Sequence, residues 1–162
     1  RYIHARDRGM MLIQTDGACL SNGLPQPRAG IAYVYAPPNP LRPLEDGVSE
    51  SLLDPADATN NRAEMLAVIT AIRARIWWGE GFHTIVFATD SEYVVKGCTE
   101  WCRAWERRGW KNSRGQPVKN RDLWEELVWN IEWTRHRGCE VSFWQIPREW
   151  NGKADAAAKI AA

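Results

Sequence analysis

The chain is short of the residues that serve several common chemistries. It has three histidines and four cysteines in 162 residues. Cys19, Cys98, Cys102 and Cys139 form no C-x-x-C pair and show no zinc spacing, which removes a zinc module from consideration. Cys98 and Cys102 stand four apart on a predicted helix, as packing residues do. Reduced thiols in an intracellular protein are expected, with nucleus, mitochondrion and cytoplasm left open. No run approaches the ~18 apolar residues of a membrane helix, and no signal peptide is visible. The first residue is Arg1 rather than Met, so a targeting segment or a further module ahead of it is left open. Charge of one sign is lacking too. The net charge is +1, and this total implies nothing about nucleic acid.

Distribution says more than the total. Residues 101–121 hold seven cations (Arg103, Arg107, Arg108, Lys111, Arg114, Lys119, Arg121) and one acid, Glu106, with Trp101, Trp105 and Trp110 interleaved. Lys and Arg neutralise phosphates, and flat rings pack against sugars and bases. Ten tryptophans is a high count for this length. Trp77, Trp78, Trp124, Trp129, Trp133 and Trp144 read as packing residues.

Hydrophobic periodicity predicts a mixed α/β chain of one domain, 1–162, with its core over about 10–161 and 1–9 as an N-terminal extension. Strands are expected at 10–16, 29–35, 48–53, 84–89 and 140–146. A loop with four prolines spans 36–46. Met65, Val68, Ile69, Ile72 and Ile76 mark a helical stripe that Gly79 and Gly81 would end. Residues 91–107 read as helix with Gly97 as a break, 112–117 as a polar loop, and 122–137 as helix. Pro147 stops the last strand, and Asn151 is placed to cap a final helix.

Four acids recur at the ends or starts of these elements. They lie in Thr15-Asp16-Gly17-Ala18-Cys19, Asn60-Asn61-Arg62-Ala63-Glu64, Ala88-Thr89-Asp90-Ser91-Glu92 and Asn151-Gly152-Lys153-Ala154-Asp155. Singly each has a plain reading: Asp-Gly is an ordinary turn, Asp90 before Ser91 could cap a helix, and Asp155 could be surface charge. Gathered, they need a cation, because two carboxylates about 4 Å apart repel by roughly 4 kcal/mol at an effective dielectric of 20. Oxygen ligands without His or Cys suit Mg²⁺ or Mn²⁺.

These four segments, in this order, together with the Trp-basic stretch, resemble the ribonuclease H1 family in its cellular form with a basic protrusion. The resemblance covers about residues 10–161. It implies a ribonuclease H-like fold, a five-stranded mixed sheet of order 3-2-1-4-5 flanked by helices, with strands 4 and 5 parallel to strand 1. It implies a monomeric endonuclease that hydrolyses the RNA strand of RNA/DNA hybrids with two Mg²⁺ (or Mn²⁺) ions, leaving 5′-phosphate and 3′-hydroxyl ends. Asp16 would bridge the ions, with Glu64 and Asp90 on one side and Asp155 on the other. Asn22, Asn60 and Asn61 match RNA-side contacts. Thr59 and Asn120 match a DNA phosphate pocket, and Trp101, Trp105 and Ser113 match the deoxyribose channel. Lys111 and Lys119 belong to the protrusion.

The chain departs from the family in two places. Residues 145–151 hold no histidine, and Arg148 is read either as a positive charge near the scissile phosphate or as a salt-bridge partner of Glu149 or a neighbour. Glu92 adds an acid where relatives have a neutral residue. Lys159, one turn after Asp155, is unexpected on that side. Two alternatives stay open: another nuclease on the same fold, resolvase- or transposase-like, and a non-catalytic hybrid-binding domain.

Overall fold

A computed structural model describes residues 1–20, 23, 27–37, 47–50 and 58–162, with the backbone alone at 47–50. Asn22, part of the strand expected at 48–53 and most of the proline-rich loop lie outside the described residues.

The longest strand explains the layering. A short strand β1 (Tyr2–Ile3) precedes β2 (Met10–Leu20). Along β2, Met11 and Ile13 are buried while Met10, Leu12 and Gln14 are half-buried, the alternation of a strand with one well-covered face. From Thr15 to Gly17 the alternation stops and every residue is buried, because helices cover both faces there. β3 (Arg28–Val34) pairs antiparallel with β2, and β4 (Gly47–Glu50) antiparallel with β3.

Helix α1 (Asn60–Arg73) begins at Thr59, whose hydroxyl accepts from the Arg62 amide. Its stripe buries Met65, Val68, Ile69 and Ile72. The expected fifth member does not join: Ile76 is 63% exposed. The helix stops at Arg73, before Gly79, and the chain turns into a 3₁₀ segment, Trp77–Glu80. Trp77 takes the core place instead, and its indole N–H donates to the Ala71 carbonyl at 3.0 Å. That carbonyl lies in the last turn of α1, where helical partners run out.

Strand β5 (Thr84–Thr89) runs parallel to β2, and a strand β6 (Glu140–Gln145) runs parallel to β5. Between them, α2 (Glu92–Lys96) passes through a π-turn at Gly97–Trp101 into α3 (Cys102–Arg107). Gly97 therefore widens the helix rather than breaking it. A Cβ at Gly97 would stand 1.9 Å from the Trp124 ring, so the missing side chain makes room for that indole. Helix α4 (Arg121–His136) follows the protrusion and packs on α1. After a 3₁₀ turn, Arg148–Trp150, α5 (Gly152–Ala161) covers the opposite face over β3, β2 and β4.

The sheet order is β4-β3-β2-β5-β6, with β1 added beside β2 where β3 ends. This is the expected 3-2-1-4-5 path. Leu127, Ile131 and Trp124 of α4 join Phe87, Ile85 and Met65 in one core. Trp129 and Trp133 instead stack on each other at the surface, and Trp144 is half-exposed against Trp150. Among the described residues, no helix is long and apolar enough to cross a membrane.

Candidate active site and nucleic-acid face

The parallel pairing of β2 with β5 ends at Gln14 and Ala88, so Asp16, within β2, and Asp90, just after β5, each follow that last pair by two residues. Close approach of α1 brings Glu64 to the same place. A Cβ on Gly17 would lie 2.2 Å from the Glu64 backbone nitrogen and 2.2 Å from the Ala63 carbonyl carbon, so only glycine lets the helix seat there. The side chain of Asn60 accepts from the Cys19 amide at 2.8 Å and ties the start of α1 to β2. The first turn of α5 supplies Asp155.

The electrostatics show that these acids act on one another. Asp16 is 6% exposed. Burial, and then the charges of Asp90, Asp155 and Glu64, push its carboxyl up to about 7, with Arg148 pulling the other way. Burial also raises Glu64, opposed by a hydrogen bond from Ser91. Asp155 is held below the ordinary range, first by the hydrogen bond from Lys159 and further by Arg148.

Three of the four acids have a partner that fixes their direction. The Ser91 hydroxyl donates to Glu64 and also accepts from the Val94 amide at the start of α2. Asn151 Nδ2 donates to Asp90 Oδ1 at 2.8 Å and to the Thr15 carbonyl at 3.0 Å. Asn151 opens α5 without a side-chain capping bond, so the expected cap is corrected. Its amide is used to join β2, β5 and the start of α5. Arg148 Nη2 and Lys159 Nζ reach the two oxygens of Asp155 at 3.0 and 2.6 Å. Glu92 is turned outward into an ion pair with Lys96 and leaves the cluster.

The donor set suits a hard divalent cation: oxygen ligands only, in a half-buried recess. Among the described residues no three His, Cys, Asp or Glu side chains already enclose a common point. The bonds to Ser91, Asn151, Arg148 and Lys159 account for where Glu64, Asp90 and Asp155 aim.

A second surface adjoins this one. Tyr93, Trp101, Trp105 and Trp124 form a closed ring of aromatic contacts with centroids 5.2 to 6.0 Å apart. Trp124 is buried, while Trp101 and Trp105 keep one flank open. The Tyr93 hydroxyl accepts from Trp124 Nε1 at 3.1 Å and from Asn120 Nδ2 at 3.2 Å. Asn120 has φ 55°, a left-handed conformation that asparagine tolerates better than most residues. Arg62 spans from α1 to α4, with two bonds to Asp122 at 3.0 and 2.7 Å and one to Asn120 at 3.5 Å. Thr59 and Asn120 therefore sit on two helix starts joined by Arg62. All seven cations of the protrusion are exposed, as are Ser113 and Asn61. Among the described residues only Arg121 of the seven has an ion pair, with Glu125.

Sequence reasoning missed roles for Ser91, Asn151, Tyr93 and Arg62. Arg62, Ser91 and Asn151 stood within the segments that carry the acids, whereas Tyr93 carried no signal.

A sheet of order β4-β3-β2-β5-β6 with α1 and α4 on one face and α5 on the other defines the ribonuclease H-like class of fold. The family model for RNase H matches residues 8–162. The chain is 37% identical over 139 residues to Ribonuclease H of Treponema pallidum, across 79% of each chain. It is 39% identical over 137 residues to Ribonuclease HI of Pseudomonas aeruginosa, across 82% of this chain and 83% of that one. It also matches the crystal structure of LC9-RNase H1 at 31% identity and a TM-score of 0.64, covering 94% of this chain and 72% of the other. The chain belongs to the ribonuclease H family, divalent-metal-dependent endonucleases that hydrolyse RNA in RNA/DNA hybrids.

Proposed function

We propose that Asp16, Glu64, Asp90 and Asp155 are the carboxylates that carry this hydrolysis, with Asp16 shared between two Mg²⁺ or Mn²⁺ ions, Glu64 and Asp90 holding one and Asp155 the other. When bound, such a pair activates the attacking water and stabilises the leaving 3′ oxygen, giving 5′-phosphate and 3′-hydroxyl ends. The observation that carries the reading is the state of Asp16: buried, ringed by three acids, and raised to about 7. A positive charge at this point relieves a cost that the fold otherwise bears.

The remaining residues do the positioning. Ser91 and Asn151 aim Glu64 and Asp90 by hydrogen bonds from neutral donors. Asn60 uses Oδ1 on the Cys19 amide, which leaves its Nδ2 to meet a 2′-hydroxyl on the RNA side with Asn61 and Asn22. Thr59 and Asn120, set together by Arg62, hold a phosphate of the DNA strand. The open flanks of Trp101 and Trp105, with Ser113, accept a sugar face that lacks a 2′-hydroxyl. Lys111, Lys119 and their exposed neighbours neutralise the DNA backbone. We assign to Arg148, exposed and bonded to Asp155, the pairing with the scissile phosphate. A monomer suffices for every one of these roles.

The test is cleavage of a labelled RNA/DNA hybrid in Mg²⁺ by the wild type and by Asp16→Asn. The wild type is expected to cut the RNA strand, and the variant to bind hybrid with turnover reduced by about 10³-fold or more. Tight binding without cleavage by both would make the chain a binding domain. Preference for duplex DNA or a four-way junction would make it another nuclease on this fold.

A further inference from the structure

Asp155 differs from the other three acids in the charge of its partners. Glu64 and Asp90 are held by neutral donors, Ser91 and Asn151. Asp16 receives no hydrogen bond among the described residues. Asp155 alone has both oxygens taken by cations: Oδ1 by Arg148 at 3.0 Å and Oδ2 by Lys159 at 2.6 Å. The two cations come from different elements. Lys159 lies one turn on in α5, at the i, i+4 spacing that favours an acid followed by a base. Arg148 belongs to the 3₁₀ turn before α5, and that turn is fastened to β2 by Gln14 Nε2, which donates to the Trp150 carbonyl at 2.9 Å. Gln14 stands two residues before Asp16.

We propose that Arg148 and Lys159 form a releasable clamp on Asp155 that competes with the divalent ion for this carboxylate, which makes Lys159 a residue that sets metal affinity. The proposal rests on the reading of Asp155 as a metal ligand. A carboxylate has two oxygens, and each already satisfies a cation. Each oxygen keeps a second acceptor site, but a divalent ion placed there is repelled by the Arg148 or Lys159 charge beside it, so its binding favours release of at least one of them. Displacement is easy, because the Arg148 and Lys159 side chains are 71% and 51% exposed and exposed pairs are weak. Once released, Arg148 is available to a phosphate on the substrate, so metal entry and phosphate capture draw on the same side chain. In the absence of metal the clamp offsets the repulsion that Asp155 exerts on Asp16.

The experiment is Mn²⁺ binding to the free protein, followed by electron paramagnetic resonance, with no turnover needed. Lys159→Met is expected to tighten Mn²⁺ binding by about two- to five-fold, the range one exposed pair commands. Lys159→Arg, which keeps the charge and the reach, restores the wild-type affinity. In an Asp155→Asn background the Lys159→Met effect disappears. Lys153→Met is the control for diffuse charge, since Lys153 lies on the same helix but bonds Tyr2 instead. Unchanged or weaker Mn²⁺ binding in Lys159→Met overturns the clamp, as does an equal gain in Lys153→Met. Asp16→Asn separates this from the underlying reading. If that variant binds Mn²⁺ like the wild type, the metal site itself is misplaced. If it loses Mn²⁺ while Lys159→Met matches the wild type, the clamp alone is wrong.

Discussion

Asp16 is 6% exposed among three further acids, whereas the seven cations of residues 101–121 all face solvent and six have no ion pair among the described residues. The two regions are linked by Arg62 and Tyr93, which both meet Asn120, but are built by opposite means. The acids are drawn together by backbone packing, glycine against helix, so their repulsion is a cost written into the fold. The cations hang from a ring of aromatics that belongs partly to the core, and water screens them from one another. A change among the acids should therefore alter stability and turnover together. A change among the cations should alter substrate affinity and little else.

Glycine substitution separates the regions most strongly. Gly17→Ala forces a methyl against the backbone of Ala63 and Glu64, neither of which is a movable side-chain tip. We expect a loss of about 3 kcal/mol or more in urea unfolding, and near-complete loss of hybrid cleavage as Glu64 moves off Asp16. Gly97→Ala meets the Trp124 ring, which is buried but belongs to a side chain. It should destabilise by about 1–3 kcal/mol, with cleavage falling less than in Gly17→Ala. Similar turnover in the two variants would erase the distinction between the regions.

The pH dependence of the metal-free protein comes next in size. Asp16 is raised from 3.8 to about 7 in the fold, so the folded state holds its proton more tightly than the unfolded chain. The stabilisation from the protonated form is complete below about pH 4 and is lost as pH rises through about 7. Metal-free protein should thus be less stable at pH 8 than at pH 5.5 by about 2 kcal/mol from this group, out of about 4 kcal/mol between pH 4 and pH 8. Asp16→Asn should remove that slope and stabilise the metal-free fold at pH 8 while abolishing turnover. Saturating Mg²⁺ should flatten the wild-type slope as well. Identical melting of wild type and Asp16→Asn at pH 8 would mean that the acids do not strain the fold.

How much of this was legible in the sequence follows from the range of each interaction. The four acids as a set rested on the resemblance of their segments to a known family, whereas the elements that bear them were legible because periodicity is a local property. Strands 84–89 and 140–146 were placed to within a residue for the same reason. The bonds that aim the acids were not readable. Asn151 to Asp90 spans 61 residues and Ser91 to Glu64 spans 27, and nothing in the spacing announces either. Asn151 read as a helix cap because Asn before a helix is a cap by default, and tertiary contacts claimed its amide. Ile76 failed as a core residue because Trp77, one place on, fills more space and satisfies a carbonyl at the end of α1.

The smallest effect tests the cationic side. Lys119 is exposed and makes no ion pair among the described residues, so Lys119→Ala should leave urea unfolding within about 0.5 kcal/mol of the wild type. Its effect belongs to binding. Removing one phosphate contact should lower the slope of log K against log salt by about 0.7–0.9, in whichever sequence the hybrid has. The comparison sharpens if the same salt series is run on Asp16→Asn, whose slope should match the wild type if Asp16 holds metal, as proposed, rather than the DNA strand. A Lys119→Ala slope equal to the wild type would take this lysine out of the phosphate-contacting face, and the protrusion would then act through its tryptophans.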